Sequence, residues 1–437
     1  MTKRTSSSSP VAGKASSRTS TGATSSPVAA PSVPGIDQPM TLLGGLTAAQ
    51  FMRKHWQKKP LLVRQAVPGF QPLLTRPELF ELAQREDVES RLIIQHLPGA
   101  DAASATPGKR RKTAAKVAEA TTPGWTLGHG PFVKSAFPPV SQPGWTLLVQ
   151  GVDLHVDPVH ELMKRFRFLP DARLDDLMIS WASTGGGVGP HFDSYDVFLL
   201  QAHGKRRWRI GRQKDLTLRD DLPLKILAQF EPEEEHVLEP GDMLYLPPGW
   251  AHDGIAEGEC MTYSVGFRVP ERADLAQELL IRLGDEDDEG CTKPVLYSDG
   301  KQPAVAQPAE IPATLQEFAR DALQRALAQP RALERALGEY LTEPKSNVWF
   351  EPGPEGVLLE QVVLDRRTRM MYDADHVFIN GESYRAAGRD ATLMRQLADQ
   401  RALGPRDLAR ASDDALELLS SWCDAGWVFV RASSPGR

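Results

Sequence analysis

Gly185-Gly186-Gly187-Val188-Gly189-Pro190-His191-Phe192-Asp193-Ser194-Tyr195-Asp196-Val197-Phe198 runs from a glycine-rich loop into apolar and aromatic residues of strand character. His191 and Asp193 stand two apart, so the period of a strand sets both side chains on one face. One imidazole and one carboxylate so placed can share an ion. After Asp193, 58 residues intervene before a third ligand, in Glu239-Pro240-Gly241-Asp242-Met243-Leu244-Tyr245-Leu246-Pro247-Pro248-Gly249-Trp250-Ala251-His252. Pro240-Gly241-Asp242 launches a short strand and Pro247-Pro248-Gly249 ends it just before His252. In a small barrel that strand lies across from the first. Two histidines and a carboxylate on one side of an ion leave the opposite positions open, which suits non-haem Fe(II) that must also bind a co-substrate and O₂. Zinc prefers tetrahedral closure or a single bound water. A His-x-Asp pair alone is common in loops; the third ligand and the next feature give it weight.

That feature is Gly204-Lys205-Arg206-Arg207-Trp208-Arg209-Ile210-Gly211, read as a hairpin arm. Alternation groups Arg206 with Trp208 and Ile210, against Lys205, Arg207 and Arg209. The apolar face points inward, so Arg206 goes inward with it. A buried guanidinium needs an anionic partner, and its planar fork matches a carboxylate. A dicarboxylate co-substrate fits, chelating the metal at one end and meeting Arg206 at the other; an acid of the protein itself fits as well. Ser180, on the strand-like Asp176-Leu177-Met178-Ile179-Ser180, is a second donor to that carboxylate or a structural hydroxyl.

Around this centre, 125–270 consists of short apolar runs split by Gly/Pro turns, among them Trp145–Gln150, Val197–Gln201 and Met243–Leu246, the texture of an all-β barrel or double sheet. Upstream, Leu42, Leu43, Leu46, Phe51 and Trp56 recur at helical spacing, and Trp56-Gln57-Lys58-Lys59-Pro60-Leu61-Leu62-Val63 ends that helix and opens a strand. Residues 1–38 form a Ser/Thr/Ala/Pro tract with no acid before Asp37, expected to be a disordered tail. Within the domain expected over 39–270, residues 100–123 carry Lys109, Arg110, Arg111, Lys112 and Lys116 and read as a mobile insertion. Residues 271–345 place Leu275, Leu279, Leu280 and Leu283, then Leu315, Phe318, Leu323 and Leu327, at helical spacing, a helical module that can pack on the barrel or on a second copy. Residues 346–437 suggest a winged-helix layout, with a strand over Val357–Leu364, a strand-turn-strand around Asn380-Gly381, helices between 391 and 424, and a strand over Trp427–Val430.

With 437 residues, 41% apolar and 25% charged, the chain has the balance of a globular protein of two or three domains. Its net charge of −6, and −3 over 346–437, argues against general nucleic-acid binding and sequence-specific DNA recognition. Cys260, Cys291 and Cys423 form no paired motif, which fits a reducing cytoplasm, and no apolar run is long enough for membrane insertion.

Over nearly the whole folded chain, and most densely over Asp175–Gly211 and Glu239–Arg268, the sequence resembles the bacterial ribosomal oxygenases, Jumonji-C proteins of the cupin superfamily. Tyr195-Asp196-Val197-Phe198 and Tyr263-Ser264-Val265-Gly266-Phe267-Arg268 are part of that likeness. The resemblance implies an α+β chain: a double-stranded β-helix (cupin, jelly-roll) barrel, a helical dimerisation module and a winged-helix-like C-terminal domain. It implies iron at His191, Asp193 and His252, with 2-oxoglutarate at Arg206 and Ser180 and O₂ as the second co-substrate. It also implies a homodimer that hydroxylates an arginine of large-subunit ribosomal protein L sixteen. The competing functions are a non-catalytic cupin that holds a metal or small acid, a histidine hydroxylase or a lysine demethylase of the same class, and a winged-helix regulator, which the acidic C-terminal balance disfavours.

Overall fold

Two long strands organise the first and larger part of the chain: β7 (Val197–Gly211), which joins the expected run Val197–Gln201 and the hairpin arm into one, and β10 (Ala251–Phe267). The computed structural model describes residues 35–96, 120–122, 124–285, 295–353, 360–385 and 387–430; the expected tail up to residue 34, the basic cluster Lys109–Lys116 and Cys291 lie outside them. The other strands are β1 (Leu61–Val63), β2 (Ser90–Gln95), β3 (Ala120–Thr122), β4 (Trp125–His129), β5 (Trp145–Val149), β6 (Leu174–Ala182), β8 (Glu234–Leu238) and β9 (Met243–Leu246). All ten form one antiparallel sheet in the order β1-β9-β7-β10-β6-β5-β2-β4-β3, with β8 added to β7.

Strand β7 changes partner along its length, pairing β9 over Val197–Leu200 and β8 over Arg206–Ile210, while β10 follows it throughout. The ladder is interrupted between Glu257 and Met261, where the pair bends. Gly204 makes the bend possible: its φ is 60°, and a Cβ there would stand 2.0 Å from the carbonyl oxygen of Glu259. The bend folds the sheet over. Arg206 pairs with Ala256 and Ser180 with Thr262, six positions apart on β10 and on opposite sides of it, yet their side chains touch.

Alternation then sorts the side chains. Phe198, Leu200, Tyr245, Tyr263, Val265, Ile179 and Trp181 join the main core. Val197, Leu199, Trp208, Ile210, Leu238, Leu244 and Leu246 form a second cluster inside the fold, and Ser180, Arg206 and His252 are buried on strands of the same fold. Three short helices close the main core: α1 (Ala48–Lys54), α2 (Arg76–Leu82) and α3 (Asp157–Lys164). Thr47 with Gln50, and Thr75 with Glu78, form capping boxes that start α1 and α2. The single helix expected from Leu42 to Trp56 is instead a 3-10 turn over Thr41–Leu43 followed by α1, because Gly44 and Gly45 adopt φ of 65° and 83°.

The helical module comprises α4 (Arg272–Asp285), α5 (Ala313–Ala328) and α6 (Ala332–Thr342), which share Leu283, Ala326, Ala332 and Ala336. Beyond it, β11 (Val362–Leu364) through β16 (Val428–Val430) make two three-stranded sheets, with α7 (Gly388–Gln400), α8 (Pro405–Leu408) and α9 (Asp413–Asp424) packed on them. Asn380 and Gly381 join β13 (His376–Ile379) to β14 (Glu382–Arg385) with φ of 49° and 89°, a two-residue hairpin turn. This part is fastened to the barrel by side chains that donate to carbonyl oxygens: Arg167 to Ala398 and Asp399, Arg366 to Leu154, Arg369 to Leu174 and Asn347 to Asp87.

Near the start of β6, Lys345 reaches Asp175 at 3.1 Å and Asp176 at 3.5 Å. Behind them Asp153, 3% exposed, accepts the Leu177 N–H at 2.8 Å. Burial first, then the charge of Asp176, push the Asp153 carboxyl up to about 7. Between the ordinary carboxyl range and that value the folded chain holds a proton the unfolded chain has released, so this group's contribution to stability falls as pH rises through that window. Asp153→Asn keeps an acceptor and removes the titration. Its stability relative to the parent, from urea unfolding, should therefore rise between pH 5 and 7, by up to about 1.4 kcal/mol per unit; a constant difference would refute the assignment.

Candidate metal centre

The loop of residues 185–191 occupies the edge of β10 that β6 leaves free. The Gly185 N–H donates to the Ala256 carbonyl, the Ala256 N–H to Gly186, and His191 and His252 exchange both backbone bonds, at 3.0 and 2.7 Å. Glycine is required where the loop presses closest: a Cβ on Gly187 would stand 2.5 Å from the Gly254 carbonyl oxygen. The strand expected to carry both His191 and Asp193 is not formed. His191 makes a single bridge to His252, and the strand begins only at Val197. The Asp193 carbonyl is instead taken by the Gly249 N–H at 2.8 Å, so this segment is tied to the Pro247-Pro248-Gly249 turn rather than to a neighbouring strand.

The two histidines and the aspartate converge nonetheless. One ligand atom from each of His191, Asp193 and His252 lies within 4.8 Å of the others, and the His252 Nε2 is 3.7 Å from Asp193 Oδ2. His191 Nδ1 is 2.9 Å from the Gly189 carbonyl and His252 Nδ1 is 2.9 Å from that of Trp250. A carbonyl only accepts, so each Nδ1 donates, and in the neutral tautomer this selects, the lone pair is on Nε2. Burial, then the His191 imidazole, lower the His252 pKa to about 4 against the pull of Asp193. It is therefore neutral at pH 7, as a ligand must be. The centre opens on one side: His252 is 3% exposed, the Asp193 side chain 22% and Tyr195 41%.

Arg206 points inward as alternation requires and is 5% exposed. Its Nη1 donates to Ser180 Oγ at 3.3 Å and its Nε to Cys260 Sγ at 3.4 Å, while its Nη2 is buried with no partner. Among the described residues no carboxylate pairs with Arg206. Its outward neighbours behave otherwise: Lys205 pairs with Glu239, Arg207 with Glu235 and Glu257, and Arg209 with Asp253. The Trp208 ring neighbours both Arg206 and His252, 5.8 Å from the Arg206 Cζ and 5.9 Å from the His252 ring. Its Nε1 is buried without a partner as well. Sequence reasoning did not single out Cys260 or the Trp208 N–H; only strand alternation through the bend in β10 would have brought Cys260 toward Arg206.

Two imidazoles and one carboxylate with one open side, plus a buried guanidinium lacking an anion, fit a divalent metal chelated by an oxoacid that carries a second carboxylate.

A JmjC domain model matches residues 161–275 and a ROXA-like winged helix model matches residues 324–429. The ribosomal protein uL16 3-hydroxylase of Escherichia coli is 33% identical over 400 residues, spanning 87% of this chain and 96% of that protein. An X-ray structure of E. coli YcfD superposes with a TM-score of 0.71 at 31% identity, covering 88% of this chain and 98% of that one. A structure of the ribosomal oxygenase YcfD in complex with cobalt and 2-oxoglutarate does so with a TM-score of 0.68, at the same identity and coverage.

Calorimetric titration with Co(II) should show one site. His252→Ala and Asp193→Ala should each weaken it by more than the roughly 100-fold that loss of an outer-shell partner costs, with unchanged circular dichroism; unaltered binding would place the metal elsewhere.

Proposed function

This chain belongs to the JmjC-class ribosomal oxygenases, and from that premise we propose that it hydroxylates an arginine of large-subunit ribosomal protein uL16, using iron(II) and 2-oxoglutarate. The observation that carries the reading is the buried guanidinium of Arg206 with no acid beside it among the described residues, on the same strand as Trp208, whose ring neighbours His252 of the three converging side chains. The near full-length match to a uL16 3-hydroxylase supports the substrate.

In this reading His191 and His252 hold the iron through Nε2 and Asp193 through its carboxylate. Arg206, with the Ser180 hydroxyl, receives the distal carboxylate of 2-oxoglutarate. Bound there, the iron and its co-substrate couple reduction of O₂ to decarboxylation of 2-oxoglutarate to succinate and supply the oxygen atom that enters a C–H bond. The protein supplies position and dryness. The carbonyls of Gly189 and Trp250 fix both imidazole tautomers. The apolar cluster around Trp208 and Ile210 keeps bulk water from the interior. The substrate side chain enters where exposure rises, past Asp193 and Tyr195.

We further propose a homodimer in the cytoplasm, where ribosomal proteins are met. Leu280 and Ile281 on α4 and Leu323 and Leu327 on α5 are 48, 54, 56 and 55% exposed, an apolar surface suited to a second copy. No helix among the described residues is long and apolar enough to cross a membrane.

Mass spectrometry of a uL16 fragment incubated with the protein, Fe(II), 2-oxoglutarate and O₂ should show one oxygen atom added to a single arginine, and none with His191→Ala. Addition at a histidine would move the substrate assignment, and no 2-oxoglutarate turnover would overturn the oxygenase. In light scattering, Leu323→Glu combined with Leu327→Glu should halve the mass of the parent; a monomeric parent would sink the dimer.

A further inference from the structure

A guanidinium has five N–H donors in one plane and can meet a carboxylate along either of two edges, one formed by Nε and a terminal nitrogen, the other by both terminal nitrogens. Which edge of Arg206 faces its ligand is settled by what already occupies the rest. Nε donates to Cys260 Sγ at 3.4 Å and Nη1 to Ser180 Oγ at 3.3 Å, leaving Nη2 as the buried nitrogen with nothing to bond. The Nε edge is therefore committed to the thiol, and the free donors are Nη2 and the second hydrogen of Nη1.

Building on the reading of Arg206 as the co-substrate arginine, we propose that Cys260 is a positioning residue for 2-oxoglutarate: its sulfur turns the guanidinium so that the two terminal nitrogens present end-on to the distal carboxylate.

The thiol is well fixed for this role. Cys260 is fully buried, packs against Ala182 and Ala256, and sits on the bend of β10, where its Cα lies 3.1 Å from the place a Gly204 Cβ would take. The same close approach that bends the strand pair thus sets the sulfur's distance from Arg206. The chemistry of the acceptor matters too. An aspartate there would pair with the guanidinium outright and compete with the incoming carboxylate. A neutral thiol, a weak acceptor, orients Arg206 without neutralising it. Ser180 is equally neutral, so both anchors hold the arginine while leaving its charge for the ligand.

The test compares Cys260→Ser, which keeps an acceptor, with Cys260→Ala and Cys260→Val, which do not, the valine refilling the volume. Arg206→Ala serves as reference. Two readouts are taken: steady-state kinetics, and the Kd of 2-oxoglutarate for the Co(II)-loaded protein by calorimetry. The alanine and valine variants should raise both the KM and the Kd for 2-oxoglutarate about tenfold, on the scale of one hydrogen bond to a charged group. Their kcat and their KM for the protein substrate should stay within about twofold, and the serine variant should be restored to near the parent. If Arg206→Ala weakens 2-oxoglutarate and none of the Cys260 variants does, the proposal falls while the arginine assignment stands. It falls equally if serine is as damaged as alanine, because the sulfur then acts only through packing. If Arg206→Ala binds normally, the arginine assignment itself is wrong.

Discussion

A guanidinium withdrawn from water with no acid beside it is costly, several kcal/mol by the usual scale for buried ions, and the centre of this molecule is arranged around one. Arg206 is kept in place by a hydroxyl and a thiol, neither of which satisfies its charge. The neighbouring basic residues on the other face of the same strand are all paired with acids. The contrast shows a local supply of carboxylates that stays on the outer face. The interior is left with an unmet demand for an anion, and Trp208 stands near both Arg206 and His252, one of three residues whose side chains converge.

Much of this was legible because strand alternation is a strict rule. The two-residue period placed Arg206 inside with Trp208 and Ile210, and the structure keeps that assignment. His191, Asp193 and His252 were also legible as a set, though for a reason that was partly incorrect. Asp193 is held by the turn at Gly249 and not by a strand. A loop bonded to one strand can bring side chains to the same point as a sheet would, and the residue pattern does not distinguish the two. Glycine conformation decided the other difference, at Gly44 and Gly45, where the apolar spacing continued through a break that only left-handed φ reveals. The contact between Arg206 and Cys260 was out of reach, since it requires knowing where β10 departs from a regular ladder.

The bend in β7 and β10 ties these observations together. Without it, Ser180 and Arg206 would lie far apart on one flat sheet, and the apolar cluster around Trp208 would have no opposing wall. A single residue without a side chain, Gly204, sits where a Cβ would stand 2.0 Å from the Glu259 carbonyl oxygen. The geometry of the interior therefore depends on a place that bonds to no ligand.

The fastening of the C-terminal part to the barrel has a different character. Arg167, Arg366, Arg369 and Asn347 all reach main-chain carbonyls across the seam. A carbonyl is present whatever residue occupies the position, so Ala398, Leu154 or Leu174 can be exchanged without removing an acceptor. Arg366 alone among the four also meets a side chain across the seam, the Asp157 carboxylate at 2.5 Å, so on the accepting side only that position is tied to a residue type. Side chains on the outer surface of the appended domain can therefore change while the carbonyls that align the two halves stay in place.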